Sequence, residues 1–223
     1  MIGIIAAMNS EYLILKKSGN RLFNGQDFKV VKSGIGTYAA RKATIKLVDS
    51  GCKVIVGWGF AGGLSQNIRC GQVIIANNFV SNKMKFSLHT PLYEEFKQQI
   101  QPTNPIEGTI FASKKPIFTT KEKQNLAKNF NSIAVDMESD GIISVTKQRE
   151  IPYFCIRVAL DDSDTTLPDW ISAFLHKKNL LEKIKLSSTC MFNPSESRKL
   201  IKLVRLYRKA SKQLSLTSAL LIR

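Results

Sequence analysis

"KVIVGWGFAGGL" occupies residues 53–64. Its first half is an unbroken apolar run of the kind that fills a strand buried on both faces. Its second half sets Gly57, Gly59, Gly62 and Gly63 among aromatic and small residues. Glycine lets a backbone turn sharply or approach a ligand closely. The stretch therefore reads as a buried strand that breaks into a glycine loop. The same pattern, an apolar run with a polar or glycine end, recurs on both sides of it. "IGIIAA" (2–7), "FKVVKSGIG" (28–36), "GQVIIANNFV" (71–80), "GTIFAS" (108–113), "IAVDME" (133–138) and "PYFCIRVAL" (152–160) read as strands. Helical stretches separate most of them: "SEYLILKK" (10–17) with Ser10 as N-cap, "TYAARKATIKLVDSG" (37–51) stopped by Gly51, "TKEKQNLAKNF" (120–130) and "SDGIISVTKQRE" (139–150). This alternation predicts one α/β domain with a twisted mixed central sheet flanked by helices.

A boundary falls near Leu167 and Pro168. Residues 1–167 form the α/β domain, and 168–223 form a basic, mostly helical C-terminal segment, packed on the domain or lying at a membrane surface. "SRKLIKLVRLYRKASKQLSLTSALL" (197–221) repeats Leu200, Leu203, Val204, Tyr207, Ser211, Leu214 and Leu221 on one helical face. Arg198, Lys202, Arg205, Lys209 and Lys212 follow the other face. The chain has 33 Lys and Arg against 17 acids, a net charge of +16. Residues 172–223 hold twelve of those bases and two Glu, so this segment carries +10 of the total. Such a surface suits an anionic partner, whether a membrane, a nucleic acid or a phosphorylated ligand, or simply a solvated face. No nucleic-acid-binding motif accompanies it. A 43% hydrophobic share fits a globular core, and no apolar run has the roughly 18 residues of a membrane span. The N-terminus lacks the basic start of a secretory signal, so a cytoplasmic protein is expected. Cys52, Cys70, Cys155 and Cys190 are widely spaced without a CxxC, as in reduced thiols rather than a zinc site.

Ligands of α/β proteins gather at the carboxyl ends of strands. Four such ends are polar or glycine-rich: "AAMNSE" (6–11), "GWGFAGG" (57–63), "VDMES" (135–139) and "RVALDDSD" (157–164). Three of them carry carboxylates. An oxygen-only set of Glu11, Glu138 and Asp161 would suit Mg²⁺ or Ca²⁺, and no metal is assigned. The glycine stretches match neither a dinucleotide nor a phosphate-loop pattern. His89 and His176 have no nucleophile partner in view. In 133–141, Asp136 lies on the strand face of Glu138, and Asp140 is expected as an exposed acid in the next helix's first turn.

"IGIIAAMNSE" (2–11), "VKSGIGTYAARKAT" (31–44), "VIVGWGFAGGLSQNIRCGQVIIA" (54–76), "IAVDMES" (133–139) and "IPYFCIRVALDDSD" (151–164) follow one another in a characteristic order. In that order and spacing the chain resembles the purine and uridine phosphorylase superfamily. Its first segments are similar to methylthioadenosine/S-adenosylhomocysteine nucleosidases. Its tail, "DDSDTTLP" (161–168) and "FNPSESRKLIKLVRLYRKASKQL" (192–214), resembles hopanoid-associated phosphorylases, which release adenine from adenosylhopane. The resemblance implies a nucleoside phosphorylase-like fold and cleavage of the N-glycosidic bond of an adenine nucleoside. It implies Asp161 as the general acid on the purine, Glu138 on the ribose hydroxyls, and Glu11 positioning the attacking water. Met137 would line the ribose with Asp136 in support, and Phe60, Ala61 and Gly62 would flank the base and nucleophile. No cofactor is implied, with inorganic phosphate the alternative co-substrate to water. The implied partners are an adenine nucleoside, lipid-linked in the hopanoid branch, an anionic membrane surface through the C-terminal helix, and a second copy in a homodimer. On this reading 198–223 is dispensable for turnover of a soluble nucleoside.

The chain departs from the nucleosidase pattern at Trp58 and Phe60, where hydroxyl residues stand, and at Leu160, where a serine stands. Those changes imply a more apolar pocket. Tyr12 stands where the hopanoid branch carries arginine, and the 6–12 loop holds no arginine for phosphate. Water and phosphate both stay open as nucleophiles.

Overall fold

A computed structural model describes residues 1–19, 25–81, 85–88, 91–168, 171 and 194–222. His89, His176 and Cys190 lie outside the described residues. The elements run β1 (Ile2–Ala6), α1 (Asn9–Ser18), β2 (Phe28–Lys32), α2 (Thr37–Asp49), β3 (Val54–Gly63), β4 (Val73–Val80) and β5 (Lys85–Ser87). They continue with α3 (Pro91–Ile100), β6 (Ile106–Ala112), α4 (Thr120–Phe130), β7 (Ala134–Asp136), α5 (Ser139–Gln148), β8 (Tyr153–Asp161) and α6 (Pro194–Leu221).

The glycine stretch of 57–63 is not a loop. β3 runs through it for ten residues and changes partners on the way. Its first half pairs in parallel with β1, and β8 runs parallel along most of its length. Its last two residues, Gly62 and Gly63, pair antiparallel with β7. β7 continues to β6, β6 to β4, and β4 back to β8. Five strands (β3, β8, β4, β6 and β7) thus close a ring within the eight-stranded sheet. β1 and β2 extend it from β3, and β5 extends it from β4. A register shift between Ala61 and Gly62, opposite β8, marks where the sheet curls. Side-chain bulk on both faces would obstruct such a curl, which accounts for glycine here rather than in a turn.

Two apolar layers cover the sheet. One gathers Ile4, Val56, Trp58 and Ile156 with Leu15 of α1, Phe96 of α3 and Leu214 of α6. The other gathers Ile5, Ile55, Ile74 and Cys155 with Leu47 of α2 and Ile142 of α5. α2 and α5 approach so closely that a Cβ at Gly141 would overlap the carbonyl oxygen of Thr37. α4 covers a smaller cluster of Leu64, Phe111, Ile117 and Val135.

Three expectations change. Met8 takes the N-cap position of α1, and Ser10 lies inside the first turn. α3 has no counterpart in the sequence reading, although Leu92, Phe96 and Ile100 recur at helical spacing behind Pro91. The apolar face of α6 holds only in its second half: Leu214 and Leu221 are buried as expected, joined by Ala210, Thr217 and Ser218, whereas Val204 and Tyr207 are exposed. The Ser18 and Ser218 hydroxyls join α1 to α6 at 2.8 Å, and Gln99 of α3 donates to the Leu220 carbonyl at 2.6 Å. The second half of α6 is therefore part of the core.

Candidate active site

One cavity of about 170 Å³ opens where β1, β3, β7 and β8 end. Its lining includes Glu11, Phe60, Ala61, Gly62, Asp136, Met137, Glu138 and Asp161. All eight residues singled out in the sequence therefore meet at one place. Ile35, Lys115, Ile117, Leu160 and Leu167 complete much of its wall.

Glu11 is buried at the first turn of α1, where the helix dipole favours an anion. Its Oε2 accepts from the Met8 N–H at 2.7 Å, and its Oε1 accepts from the Phe60 N–H at 2.8 Å. Burial pushes its carboxyl above the ordinary range, and those amides pull against the shift. The close approach depends on Gly59. Its φ of +145° disfavours a side chain, and a Cβ there would overlap the Glu11 carboxylate.

Glu138 stands just past β7, at the N-cap of α5, and accepts from the Gly36 N–H at 2.9 Å. Arg157 Nη2 stands 4.0 Å from its other oxygen. Burial, opposed by Arg157, raises the Glu138 carboxyl to about 7. Asp136 is more fully engaged. Arg157 donates to its Oδ2 through Nε at 3.0 Å and Nη2 at 2.6 Å. The Ser139 N–H donates to Oδ1 at 3.2 Å, and the Ser139 hydroxyl to Oδ2. Asp136 thus anchors Arg157. Met137 follows it into the cavity wall, and its carbonyl accepts from the Thr37 hydroxyl at 3.3 Å. Asp140 is half-buried in the first turn of α5 rather than exposed.

Asp161 closes β8. Its Oδ1 accepts from the Gly63 N–H at 3.1 Å, and its Oδ2 accepts from Lys123 Nζ at 2.6 Å. Lys123 is fully buried and also donates to the carbonyls of Asp162 and Thr165, both at 2.9 Å. Burial pushes the Asp161 carboxyl up while Lys123 pulls it down.

Arg157 and Lys123 received no role from the sequence. Arg157 had a signal: a cation inside "YFCIRVALD", nine residues that are almost wholly buried, must have a buried partner. Lys123 had none. It reads as one of several charges on a polar helix whose start is set by the Thr119–Glu122 capping box. Among the described residues, no cluster of three or more His, Cys, Asp or Glu is arranged to hold a metal ion. No helix among them is long and apolar enough to cross a membrane.

The strand ring closes beside one cavity lined by the buried carboxylates of Glu11, Asp136, Glu138 and Asp161. The chain belongs to the phosphorylase superfamily, whose sequence pattern matches residues 2–179. It is 30% identical to a 5'-methylthioadenosine/S-adenosylhomocysteine nucleosidase of Buchnera aphidicola subsp. Baizongia pistaciae (strain Bp), over 86% of this chain and 91% of that protein. A nucleosidase of the same name from Staphylococcus aureus (strain JH9) is 26% identical over 79% of this chain and 93% of its own. The fold is shared with the Neisseria meningitidis nucleosidase in complex with methylthio-immucillin-A, at a TM-score of 0.73, 17% identity and coverage of 98% and 96%. It is shared also with futalosine hydrolase of Helicobacter pylori strain 26695, at a TM-score of 0.65, 17% identity and coverage of 92% and 97%.

Proposed function

We propose that this enzyme hydrolyses the N-glycosidic bond of an adenine nucleoside and releases adenine. The observation that carries the reading is the meeting of Glu11, Glu138 and Asp161 around one cavity, together with relatives named 5'-methylthioadenosine/S-adenosylhomocysteine nucleosidase. Asp161 hydrogen-bonds and protonates the base, because a neutral base departs more easily than an anion. Glu138 holds the ribose hydroxyls, and its charge stabilises the oxocarbenium-like sugar of the transition state. Glu11, anchored by two amides, orients the nucleophile, and Met137 packs on the ribose.

Water is the nucleophile that the electrostatics favour. Glu11, Asp136, Glu138 and Asp161 line the cavity. The nearby cations Arg157 and Lys123 are committed to Asp136 and Asp161 at 2.6 Å each. Lys115 is the further cation in the wall. With Arg157 and Lys123 engaged, a phosphate dianion would have few charges to meet it, whereas water needs none.

The 5' substituent is large, apolar and held in a membrane, as in adenosylhopane of hopanoid biosynthesis. What supports this is the path from α6 to the cavity. Phe60 of the cavity wall meets Tyr207 of α6, with ring centroids 5.8 Å apart. Ile201, Val204 and Tyr207 are 52%, 40% and 36% exposed, and Arg198, Lys202, Arg205 and Arg208 surround them. Apolar residues inserted among bases suit an anionic bilayer surface, where each base contributes on the order of 1 kcal/mol. The second reading, a soluble methylthioadenosine/S-adenosylhomocysteine nucleosidase, is favoured by the names of the relatives.

Purified protein incubated with adenosylhopane in anionic liposomes, and separately with methylthioadenosine, tests both. Free adenine reports activity, and the sugar product with and without phosphate reports the nucleophile. Preference for the lipid substrate, lost when Arg198, Lys202 and Arg205 are changed to Glu, is the expected result. Preference for methylthioadenosine with unaltered liposome binding would establish the second reading. A sugar phosphate product would overturn hydrolysis.

A further inference from the structure

We propose that the proton given to the leaving base is held by Lys123 and Asp161 together, with Lys123 as a positioning residue that supplies this proton across their hydrogen bond. The proposal rests on the reading that Asp161 faces the base. Lys123 makes three hydrogen bonds, to Asp161 Oδ2 at 2.6 Å and to the carbonyls of Asp162 and Thr165 at 2.9 Å. Three acceptors around one nitrogen are matched by the three protons of an ammonium and not by the two of an amine. The resting pair is therefore carboxylate and ammonium, buried together and held away from solvent. A structural ion pair would need only that. This one shares its carboxylate with the cavity wall, so its proton lies next to the reacting bond.

The pair has one labile proton, on Nζ in the ionic form and on the carboxyl in the neutral form. As the C–N bond breaks, its electrons pass to the base. The carboxyl gives its proton to a base nitrogen, which leaves a carboxylate beside a neutral amine. The attacking water loses a proton to Glu11 and thence to solvent, and the amine regains one from water once adenine has left. A neutral amine leaves one of its three acceptors without a donor, which favours that return.

The surrounding charges do not compete for this proton. Asp162 turns its side chain to the Cys70 N–H and, at 4.0 Å, to Arg69. Asp164 stands 3.7 Å from Arg69. From β3 the neighbour is the Gly63 amide, and from α4 the adjacent Glu122 is engaged with Thr119. Across the cavity stand Glu11, Glu138 and Asp136 with Arg157, and Lys115 at its exposed side.

The test is the pH profile of kcat on a soluble adenine nucleoside, for wild type, Lys123→Met, Lys123→Arg and Asp161→Asn. Wild type should keep its kcat further into the alkaline range than Lys123→Met, because its pair still holds the proton there. Lys123→Met should bring the alkaline limb down by at least about 2 pH units, into the range of a buried carboxyl. Lys123→Arg retains the charge but does not release a proton, so its kcat should fall about 10²-fold while its thermal midpoint stays near wild type. An arginine variant with wild-type kcat and profile would overturn the proposal, as would a Lys123→Met profile that coincides with that of wild type. The arginine variant decides if Lys123→Met fails to fold. Asp161→Asn separates the premises: full adenine release by that variant refutes the acid role of Asp161 itself. An inactive Asn variant with an unmoved Lys123→Met profile refutes only the pair.

Discussion

Burial raises the Glu138 carboxyl from 4.5 to about 7, so its charge changes across the neutral range. The proposed role requires the carboxylate. kcat/KM should therefore rise with pH along a limb centred near 7, and Glu138→Gln should flatten that limb and lower kcat/KM about 10²-fold. A wild-type limb at ordinary carboxyl pH would contradict this. Stability moves in the opposite sense. Between about 4.5 and about 7 the folded Glu138 keeps a proton that the unfolded one has released. This group's contribution to stability accordingly falls as pH rises through that window, and the loss is complete above it. Gly59 offers a second test at the same scale. Gly59→Ala would push the Glu11 carboxylate from the Phe60 and Met8 amides, for a loss in kcat on the order of 10²-fold. Thermal unfolding of the variant would show whether a fall in kcat comes from misfolding instead. The carboxylates of this site stood out near the ends of apolar strands, and the resemblance of the ordered segments to the phosphorylase superfamily assigned their roles. Arg157 was legible as a cation inside an apolar strand, and Lys123 was hidden because a buried lysine and an exposed one look alike until the helix is placed.

At the scale of the element, α6 shows how a repeating pattern can hold along half a helix. Periodicity gives one apolar line from Leu200 through Val204 and Tyr207 to Leu214 and Leu221. Packing on α1 and α3 keeps Leu214 and Leu221, adds Ala210 and Thr217, and leaves Val204 and Tyr207 exposed. Leu214→Ala should cost about 2–5 kcal/mol, as for other fully buried leucines. Ile201→Ser, at an exposed site, should stay within about 0.5 kcal/mol. Denaturant unfolding of the two variants checks both. If Ile201→Ser proved as damaging as Leu214→Ala, the first half of the helix would be packed as tightly as the second. β3 was misread for a related reason: four glycines in seven residues look like a loop. They form a strand because both edges find partners, first β1 and β8 and then β7.

For the whole molecule, the alternation of strands and helices was legible, and so was the mixed sheet. The closure of five strands was not. It depends on β8 pairing with both β3 and β4, a contact between distant segments that no local pattern encodes. Closure also decides how the protein comes apart. Strands with partners on both sides open only when the ring does, whereas β2, among the described residues, pairs along one edge alone. Amide hydrogen exchange should therefore be slowest in β3 and β8 and faster in β2. Phe60 and Asp161 stand on those two slow strands. Heat or urea should then remove activity and tertiary structure at one midpoint, with no stage at which an intact fold carries a loosened cavity. The catalytic pocket would serve as its own reporter of global unfolding.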